Sequence, residues 1–362
     1  MISTFRTTLL FLVPVLVGFH LPAHADENAP SVSSAVEAWL SSPHADSSSE
    51  AFRHWDEDGE IPPACATCHS SSGFMDYIGA DGSAIGQVDT PAAPLSVVEC
   101  ATCHSVPAEA MDSVTFPSGT MISNLESSAT CVVCHQGRES TPSVNAAITG
   151  LDNDTPSAEL NFINVHYRVA AAMLFGTEVK GAYEYDGKVY SGKFSHIAGL
   201  DTCSSCHNPH SLEVAQENCV SCHKVDALSD IRTSQVDYDG DGDLTEGISG
   251  EIQSLHQTLG TAIYAYAAEV TDAPIIYATG AYPYFFNDTN GNGTGDPGET
   301  IYPNRYASWT PRLLKAAYNY QYIAVDPGAY AHNPHYAIQI LIDSIDDLAQ
   351  IVEVDMPETS RP

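Results

Sequence analysis

Five copies of one cysteine–histidine pattern dominate the chemistry of this sequence. Each copy reads Cys-x-x-Cys-His, and together the copies use all 10 cysteines of the chain. They are Cys65, Cys68 and His69; Cys100, Cys103 and His104; Cys131, Cys134 and His135; Cys203, Cys206 and His207; and Cys219, Cys222 and His223. Two thiols at this separation can form thioethers with the vinyl groups of one haem, and the adjacent histidine can bind its iron. A zinc ribbon or a disulfide would leave that histidine unexplained. The pattern therefore predicts five covalent haems of the c type.

Each such haem has a second axial position, and the chain holds enough further histidines to fill all five. Six of them are predicted as distal iron ligands: His44, His54, His166, His196, His210 and His332. Because His210 follows His207 by only three residues, it is expected to bind a neighbouring haem and not its own. His256 and His335 are predicted not to be ligands. Methionine is the rival ligand and would raise the haem potential, whereas histidine at every position predicts low potentials.

Two loops rich in Asp, Asn and Gly match calcium-binding patterns. The stretch DTNGNGTGDPGE fits D-x-[DN]-x-[DN]-G-x5-E over its full length and predicts calcium ligands at Asp288, Asn290, Asn292, Asp296 and Glu299. The stretch DYDGDGDLTEGI carries the front half of the pattern, with ligands predicted at Asp237, Asp239 and Asp241. It has Ile248 where the closing glutamate belongs, which leaves Glu246 or Glu251 as substitutes. Solvated turns are the alternative for both loops.

Charge and the N-terminus point to an exported protein. The 362 residues include 46 acidic and 13 basic ones, for a formal charge of −33. That balance disfavours nucleic acid, whose phosphates need basic surface, and suits basic redox partners or a saline habitat. Residues 1–25 read as a signal peptide, with Arg6, an apolar stretch and Ala23-His24-Ala25 before the cleavage point. We therefore expect a periplasmic or cell-surface protein without a transmembrane span after signal removal.

The elements that must position these residues are predicted to be mainly α-helical, with much irregular loop. Residues 26–230 would form a haem domain organised around five covalent haems, and residues 231–362 a helical C-terminal subdomain carrying the calcium-like loops. Residues 161–176 read as helical, and 183–194 as a small β-hairpin turning at Asp186-Gly187. A helix is predicted along 251–270, and two more after Thr310-Pro311 and Asn333-Pro334, where a capping residue precedes proline. The apolar stripes expected on the first and last of these are Ile252, Leu255, Leu259 and Ile263, and Ala337, Leu341, Ile345 and Leu348.

The flanks of the motifs resemble a known group. The stretches PHADSSSEAFRHWDEDGEIPPACATCHS, CHQGRES, NVHYRVAAAMLFGTEVKGAYEYDGKVYSGKFSHIAGLDTCSSCHNPHSLEV and LLKAAYNYQYIAVDPGAYAHNP are similar to bacterial polyhaem, membrane-associated c-type cytochromes. The resemblance implies a periplasmic or cell-surface electron-transfer protein. It also implies that histidine is typical at the places of His44 and His332, and that lysine is frequent at the place of His335.

Three functions are compatible with these features. The favoured one is a carrier that passes electrons through closely spaced, mostly bis-histidine haems between a membrane or periplasmic donor and an outer acceptor. The second is an enzyme, a multihaem reductase or oxidoreductase of a small nitrogen or sulfur compound, which needs a haem with an open face. Arg138 beside the third motif could orient an anion there. The third is a homo-oligomer in which a histidine of one chain binds a haem of the next.

Overall fold

A computed structural model describes residues 31–362, so the predicted signal peptide lies outside the described residues. This part of the chain is mainly helical, as expected. Its α-helices are α1 (Val32–Leu40), α2 (Glu50–Arg53), α3 (Pro63–His69), α4 (Ser71–Tyr77), α5 (Cys100–His104), α6 (Val106–Glu109), α7 (Ala129–His135), α8 (Thr141–Ile148), α9 (Ala170–Phe175), α10 (Cys203–Cys206), α11 (Gln216–His223), α12 (Ile248–Val270), α13 (Pro311–Ala324), α14 (Ala329–His332) and α15 (Pro334–Ala349). None of these helices is long and apolar enough to cross a membrane.

The β-strands of residues 31–362 form two small antiparallel pairs, beside a few isolated bridges. Strands β1 (Ser113–Thr115) and β2 (Met121–Ser123) pair with Val114 opposite Ile122. Strands β3 (Ile275–Tyr277) and β4 (Phe285–Asn287) pair with Ile276 opposite Phe286. The first pair lies between the second and third haem motifs, and the second precedes the loop 288–299.

Three long helices, α12, α13 and α15, pack together, and we call them the three-helix core. Capping fixes two of their starts as predicted: Thr310 Oγ1 accepts a hydrogen bond from Leu313 N at 3.1 Å, and Asn333 caps α15. Proline follows each cap at the first helical position, where its missing N–H costs nothing. The predicted apolar stripes are buried: Ile252, Leu255, Leu259 and Ile263 in α12, and Ala337, Leu341, Ile345 and Leu348 in α15.

The predicted β-hairpin at 183–194 is wrong. A turn forms at Asp186-Gly187, but only Gly187 has a positive φ (78°), so the turn is not the type I′ that the dipeptide predicted. The residues before and after the turn form no strands, because their backbone N–H groups donate to side chains elsewhere in the fold. Tyr183 N donates to Asn319 Oδ1 at 2.7 Å, and Ser191 N donates to Gln339 Oε1 at 2.8 Å.

The helix predicted over 161–176 is shortened to α9. The residues before it are irregular, with positive φ at His166 (69°) and Arg168 (62°), which a helix does not allow. Val165 N donates to Gln321 Oε1 of α13 at 2.9 Å. Four amide side chains of the three-helix core and its caps thus bond to the backbone of residues 165–192, and we call them the polar seam: Asn319, Gln321, Asn333 and Gln339.

One buried apolar cluster runs through most of the chain. It extends from Phe74 through α7 and α9 to the three-helix core and Val352. The residues before and after position 230 therefore pack against each other. Trp309, Tyr266 and Tyr318, each 1% exposed or less, are among its largest members.

Candidate haem-binding site

Each haem motif begins on a short helix. The motifs lie on α3, α5, α7, α10 and α11, and His207 directly follows α10. Residues three and four apart lie on the same helix face, so one turn presents both thiols and the histidine together. The cysteines are free in the structure. The local backbone therefore has the arrangement that attachment to one macrocycle requires.

Every motif histidine lies opposite a second histidine from elsewhere in the chain. The distances between ring centroids fall between 5.8 and 6.4 Å, and we call these the five ring pairs: His69 with His166, His104 with His210, His135 with His44, His207 with His332, and His223 with His196. A metal–imidazole bond is ~2 Å long, so two rings on opposite sides of one metal ion have centroids ~6 Å apart. The observed spacing fits this arrangement in all five cases.

A single connected cavity links the ring pairs. Its volume is about 3520 Å³, against roughly 300–1,000 Å³ for a pocket that holds one small molecule. All 10 motif cysteines line it, together with the five motif histidines and His44, His54, His166, His196, His210 and His332. Size and lining both fit several large apolar groups attached through the motifs.

Hydrogen bonds orient several of these imidazoles. His69 Nδ1 lies 2.6 Å from the carbonyl oxygen of Ala51, and His332 Nδ1 lies 2.9 Å from both carboxylate oxygens of Asp326. A ligand histidine commonly donates its second ring N–H to such a partner, which leaves the other nitrogen free for a metal. Burial would lower the pKa of His332, but the Asp326 carboxylate outweighs this effect and raises it.

Burial keeps other imidazoles neutral. It lowers the pKa of His135 to about 4, with a smaller contribution from His44, and lowers that of His166 to about 4, with a contribution from His69. Burial also lowers the pKa of His44 and of His69. A neutral imidazole has the free lone pair that a metal ligand requires. These rings are therefore uncharged at neutral pH, as a metal ligand must be.

The remaining histidines have other surroundings. His54 is largely exposed, lies 2.9 Å from Glu50 and packs against Trp55, so it is opposite no motif histidine in the described residues. His256 stacks on Tyr320 and its Nε2 lies 2.9 Å from the carbonyl oxygen of that residue. His335 Nε2 lies 3.4 Å from the Tyr238 hydroxyl.

Polar contacts connect the motifs to one another in space. Ser71, just after the first motif, bonds to Thr102 inside the second at 2.6 Å. Cys68 Sγ of the first motif lies 3.9 Å from the carbonyl oxygen of Val133, inside the third. Cys203 N of the fourth motif donates to Ser128 Oγ, just before α7, at 3.2 Å.

The fifth motif is joined to the fourth. Ala215 N, at the start of α11, donates to Cys206 O at 2.8 Å. The motifs therefore form a continuous series in space, with the third at its centre. The ends of the series are more exposed than the middle: Cys100, Cys103 and Cys222 are exposed, whereas Val132 and Val133 inside the third motif are buried.

The two acidic loops share one backbone conformation. Asp237 accepts hydrogen bonds from Gly240 N at 2.7 Å and Gly242 N at 2.9 Å. Asp288 accepts from Gly291 N at 2.7 Å and Gly293 N at 2.8 Å. All four glycines have positive φ, which glycine adopts without steric cost.

The loops differ in their acidic clusters. In the first, one oxygen each of Asp239, Asp241 and Glu246 lies within 4.8 Å of the others, and Asp237, Asp239 and Glu251 form a second such group. Burial raises the pKa of Glu246 to about 7, with further contributions from Asp239, Glu251 and the other acidic neighbours. In the second loop, Glu299 accepts from Thr289 N and Asn290 N through one oxygen.

Asn290, Asn292 and Asp296 of the second loop bond to one another. Both asparagine Nδ2 atoms lie 2.9 Å from Asp296 Oδ2. The second oxygen of Glu299, which is 5% exposed, has no hydrogen-bond partner in the described residues. The predicted ligands lie in one loop, but Asp288, Asp296 and Glu299 do not form a close carboxylate group like those of the first loop in the described residues.

The motifs, the ring pairs and the cavity fit a multihaem c-type cytochrome. Comparison with known proteins supports this class, since the chain is homologous to polyhaem c-type cytochromes. It is 27% identical over 387 residues to the C-type polyheme cytochrome OmcB of Geobacter sulfurreducens, in strains DL-1/KN400 and ATCC 51573 alike. It is 29% identical over 320 residues to the C-type polyheme cytochrome OmcC of the same species.

The matches cover 88% and 78% of this chain but 48% and 36% of OmcB and OmcC, so the chain spans half or less of the relatives it matches. No family model matches the chain, and no solved structure matches it. The resemblance inferred from the motif flanks is confirmed by these relatives.

Proposed function

We propose that this chain is an exported pentahaem c-type cytochrome that carries electrons between a membrane or periplasmic donor and an outer acceptor. Each bound haem would supply one iron that cycles between its ferric and ferrous states. The observation that carries the proposal is the set of five ring pairs, since each of the five motif histidines faces exactly one second histidine at 5.8–6.4 Å.

The protein residues have three roles in this proposal. The motif cysteines attach the haems, the motif histidines bind on one side, and His44, His166, His196, His210 and His332 bind on the other. The carbonyl of Ala51 and the carboxylate of Asp326 hold two of the rings in orientation. His54 takes no part, because it is exposed and bonded to Glu50.

The ring pairs favour a carrier over an enzyme. Catalysis at a haem needs an open axial position, and the proposed ligands fill both positions of all five. Arg138 lies close enough to His69 and His166 to lower the pKa of each, so its charge faces a ring pair that is already complete. The homo-oligomer that shares haem ligands is also disfavoured, because each pair is made within one chain.

The exposed ends of the motif series are the proposed points of electron exchange. The second and fifth motifs have exposed cysteines, and Glu99, Glu109 and Glu126 line the cavity near the second. Acidic surface attracts basic partners at a rate that falls with ionic strength. We therefore propose basic redox proteins as partners at the periplasm or cell surface.

Calcium is the second proposed cofactor, bound by the loop 288–299. Its support is the complete ligand pattern, with Asp288 held by two glycine N–H groups and a buried Glu299 oxygen that has no partner in the described residues. Calcium takes six to eight oxygen ligands in flexible loops of this kind. Its expected role is structural.

Axial-ligand substitution tests the haem assignment. In low-temperature EPR of the oxidised protein, the wild type should show low-spin signals alone, with a haem-to-protein ratio of five. His44→Ala, His166→Ala, His196→Ala, His210→Ala and His332→Ala should each convert one haem to high spin and leave the haem content unchanged, because attachment is through the cysteines.

His54→Ala and His335→Ala are the matched controls, and both should keep all haems low spin. A high-spin signal in the wild-type protein would contradict the carrier proposal and favour an enzyme. A high-spin haem in His54→Ala, with none in one of the five variants, would contradict the ligand assignment.

A further inference from the structure

The acidic residues of the first loop lie beside the N-terminal end of α12, which carries Glu251 in its first turn. This acidic cluster does not line the cavity. Asp239 is 4% exposed, and its Oδ2 atom has no hydrogen-bond partner in the described residues. Oε1 of Glu246 is likewise buried without a partner there. Burying a carboxylate oxygen without a partner is costly, so two of them side by side require a compensating charge.

Glu251 has a different role from its neighbours. It is fully buried, one oxygen accepts from Tyr238 N and Asp239 N at 2.8 Å each, and the other forms an ion pair with Arg232. Both oxygens therefore have protein partners: two backbone N–H groups face one, and the Arg232 guanidinium faces the other, which has no further hydrogen bond in the described residues. Glu251 therefore fixes the loop against α12, and Arg232 offsets its charge and not that of the cluster.

We propose that the first loop binds one calcium ion through Asp237, Asp239, Asp241 and Glu246, with Glu246 in the closing role that the loop pattern gives to residue 248. Glu246 lies two positions early along the loop pattern, and the structure nevertheless brings its carboxylate within 4.8 Å of Asp239 and Asp241. An all-oxygen set of carboxylates selects a hard cation, and a flexible loop accommodates calcium better than magnesium.

The site lies where three segments of the chain meet. Ile248 N donates to Ile231 O at 3.1 Å, which joins the loop to the segment that leaves the fifth motif. Ser360 N donates to Tyr238 O at 3.1 Å, which joins it to the C-terminal tail. Gly240 approaches that tail so closely that a Cβ atom there would lie 2.5 Å from Glu358 O. A bound cation would hold all three segments together.

Counting bound calcium in the haem-loaded protein tests the site. We would use equilibrium dialysis against calcium on the wild type, Glu246→Gln, Asp243→Asn and Glu299→Gln. The wild type should bind two ions per chain, and Glu246→Gln and Glu299→Gln one each. Asp243→Asn should bind two, because Asp243 is an exposed residue of the same loop that bonds only to Thr245 and belongs to neither cluster.

Three outcomes decide the matter. Equal calcium binding by Glu246→Gln and the wild type would overturn the proposal, as would an equal loss in Asp243→Asn, which would indicate general attraction to acidic surface. Loss of one ion in Glu246→Gln, with both ions retained in Asp243→Asn, would support it. Without calcium, Glu246→Gln and the wild type should have the same melting temperature. This result would show that the substitution itself does not disturb the fold.

Amide exchange gives a second readout that does not depend on stoichiometry. Calcium should slow exchange at Ser360 N in the wild type and leave it unchanged in Glu246→Gln. No calcium effect at Ser360 in the wild type would overturn the tethering role. Haem content and low-spin EPR signals should be the same in all four proteins, so a failure of the ring-pair proposal would be seen separately.

Discussion

Residues 31–230 and the three-helix core fill their interiors in different ways. The first region has short helices around a cavity of about 3520 Å³, and α11 has no buried residue. In α13, by contrast, twelve of the 14 residues are buried, and side chains alone fill the interior. The proposed haems would complete the first region, whereas the second can pack from its own residues. If the haems are present as proposed, one part of the chain depends on cofactor attachment to fill its interior and the other does not.

The largest expected effect comes from removing the central motif. Cys131→Ser with Cys134→Ser should lower the haem content from five to four and make residues 31–230 sensitive to protease, because α7 packs in the core through Val132 and Val133. The three-helix core should stay protected. Haem-to-protein ratio and mass mapping of limited proteolysis check this.

Cys219→Ser with Cys222→Ser is the matched control. It should also remove one haem, but cleavage should stay local to α11, which lies at the exposed end of the series. Equal damage from both double variants would mean that region 31–230 depends on haem number and not on the central position.

A cavity made by substitution in the three-helix core should destabilise that core and leave the haem motifs unchanged. Leu341 is fully buried, so Leu341→Ala should cost about 2–5 kcal/mol of unfolding free energy. The haem content and the low-spin signals in low-temperature EPR should not change. Denaturant unfolding followed by circular dichroism measures the loss, with Ile351→Ala, 45% exposed, expected within about 0.5 kcal/mol of the wild type.

The polar seam joins the two parts, and Asn319 is its most buried member. It accepts from Tyr183 N at 2.7 Å and donates to Tyr183 O at 2.9 Å. Asn319→Ala leaves both backbone groups buried without partners and should cost about 1–3 kcal/mol. Faster amide exchange at Tyr183, with little change in α12, would show that the loss is at the seam.

The smallest effect should come from a helix cap. Thr310→Ala removes the hydrogen bond to Leu313 N and should cost about 1 kcal/mol. Thr310→Ser keeps the oxygen and should cost less. The difference between their unfolding free energies gives the contribution of the Thr310 hydroxyl, which bonds to both Leu313 N and the Tyr266 hydroxyl. Equal losses would assign the effect to packing of the lost methyl group.

The sequence predicts those features that depend on near neighbours. The motif spacing, the Thr310-Pro311 and Asn333-Pro334 starts and the apolar stripes of α12 and α15 are all local, and the structure has them. The hairpin at 183–194 and the helix over 161–169 are wrong, because Asn319, Gln321 and Gln339 bond to their backbone from more than a hundred residues away. The secondary-structure propensities of a segment do not depend on such distant partners, so the sequence of the segment does not predict them.

The ring pairs also depend on contacts between residues that are far apart in the sequence. Histidine counting predicts six distal candidates and includes the five that face motif histidines, but it cannot match His166 to His69 or His44 to His135. That matching depends on how the short helices are packed. The closing carboxylate of the first loop is similar, since Glu246 and Glu251 are equivalent in the sequence and only burial and Arg232 separate their roles.

Under the proposed ligand assignment, the pairing of His207 with His332 implies an order of assembly. If the chain is exported from its N-terminus, both members of the other four ring pairs arrive by residue 223, but the partner of His207 lies in the last tenth of the protein. We expect a chain that ends before His332 to have four haems with two histidine ligands each. The haem of the fourth motif would have His207 alone and one face open to solvent. His332→Ala reproduces that state, and its spectrum gives the reference by which incomplete molecules in a preparation can be recognised.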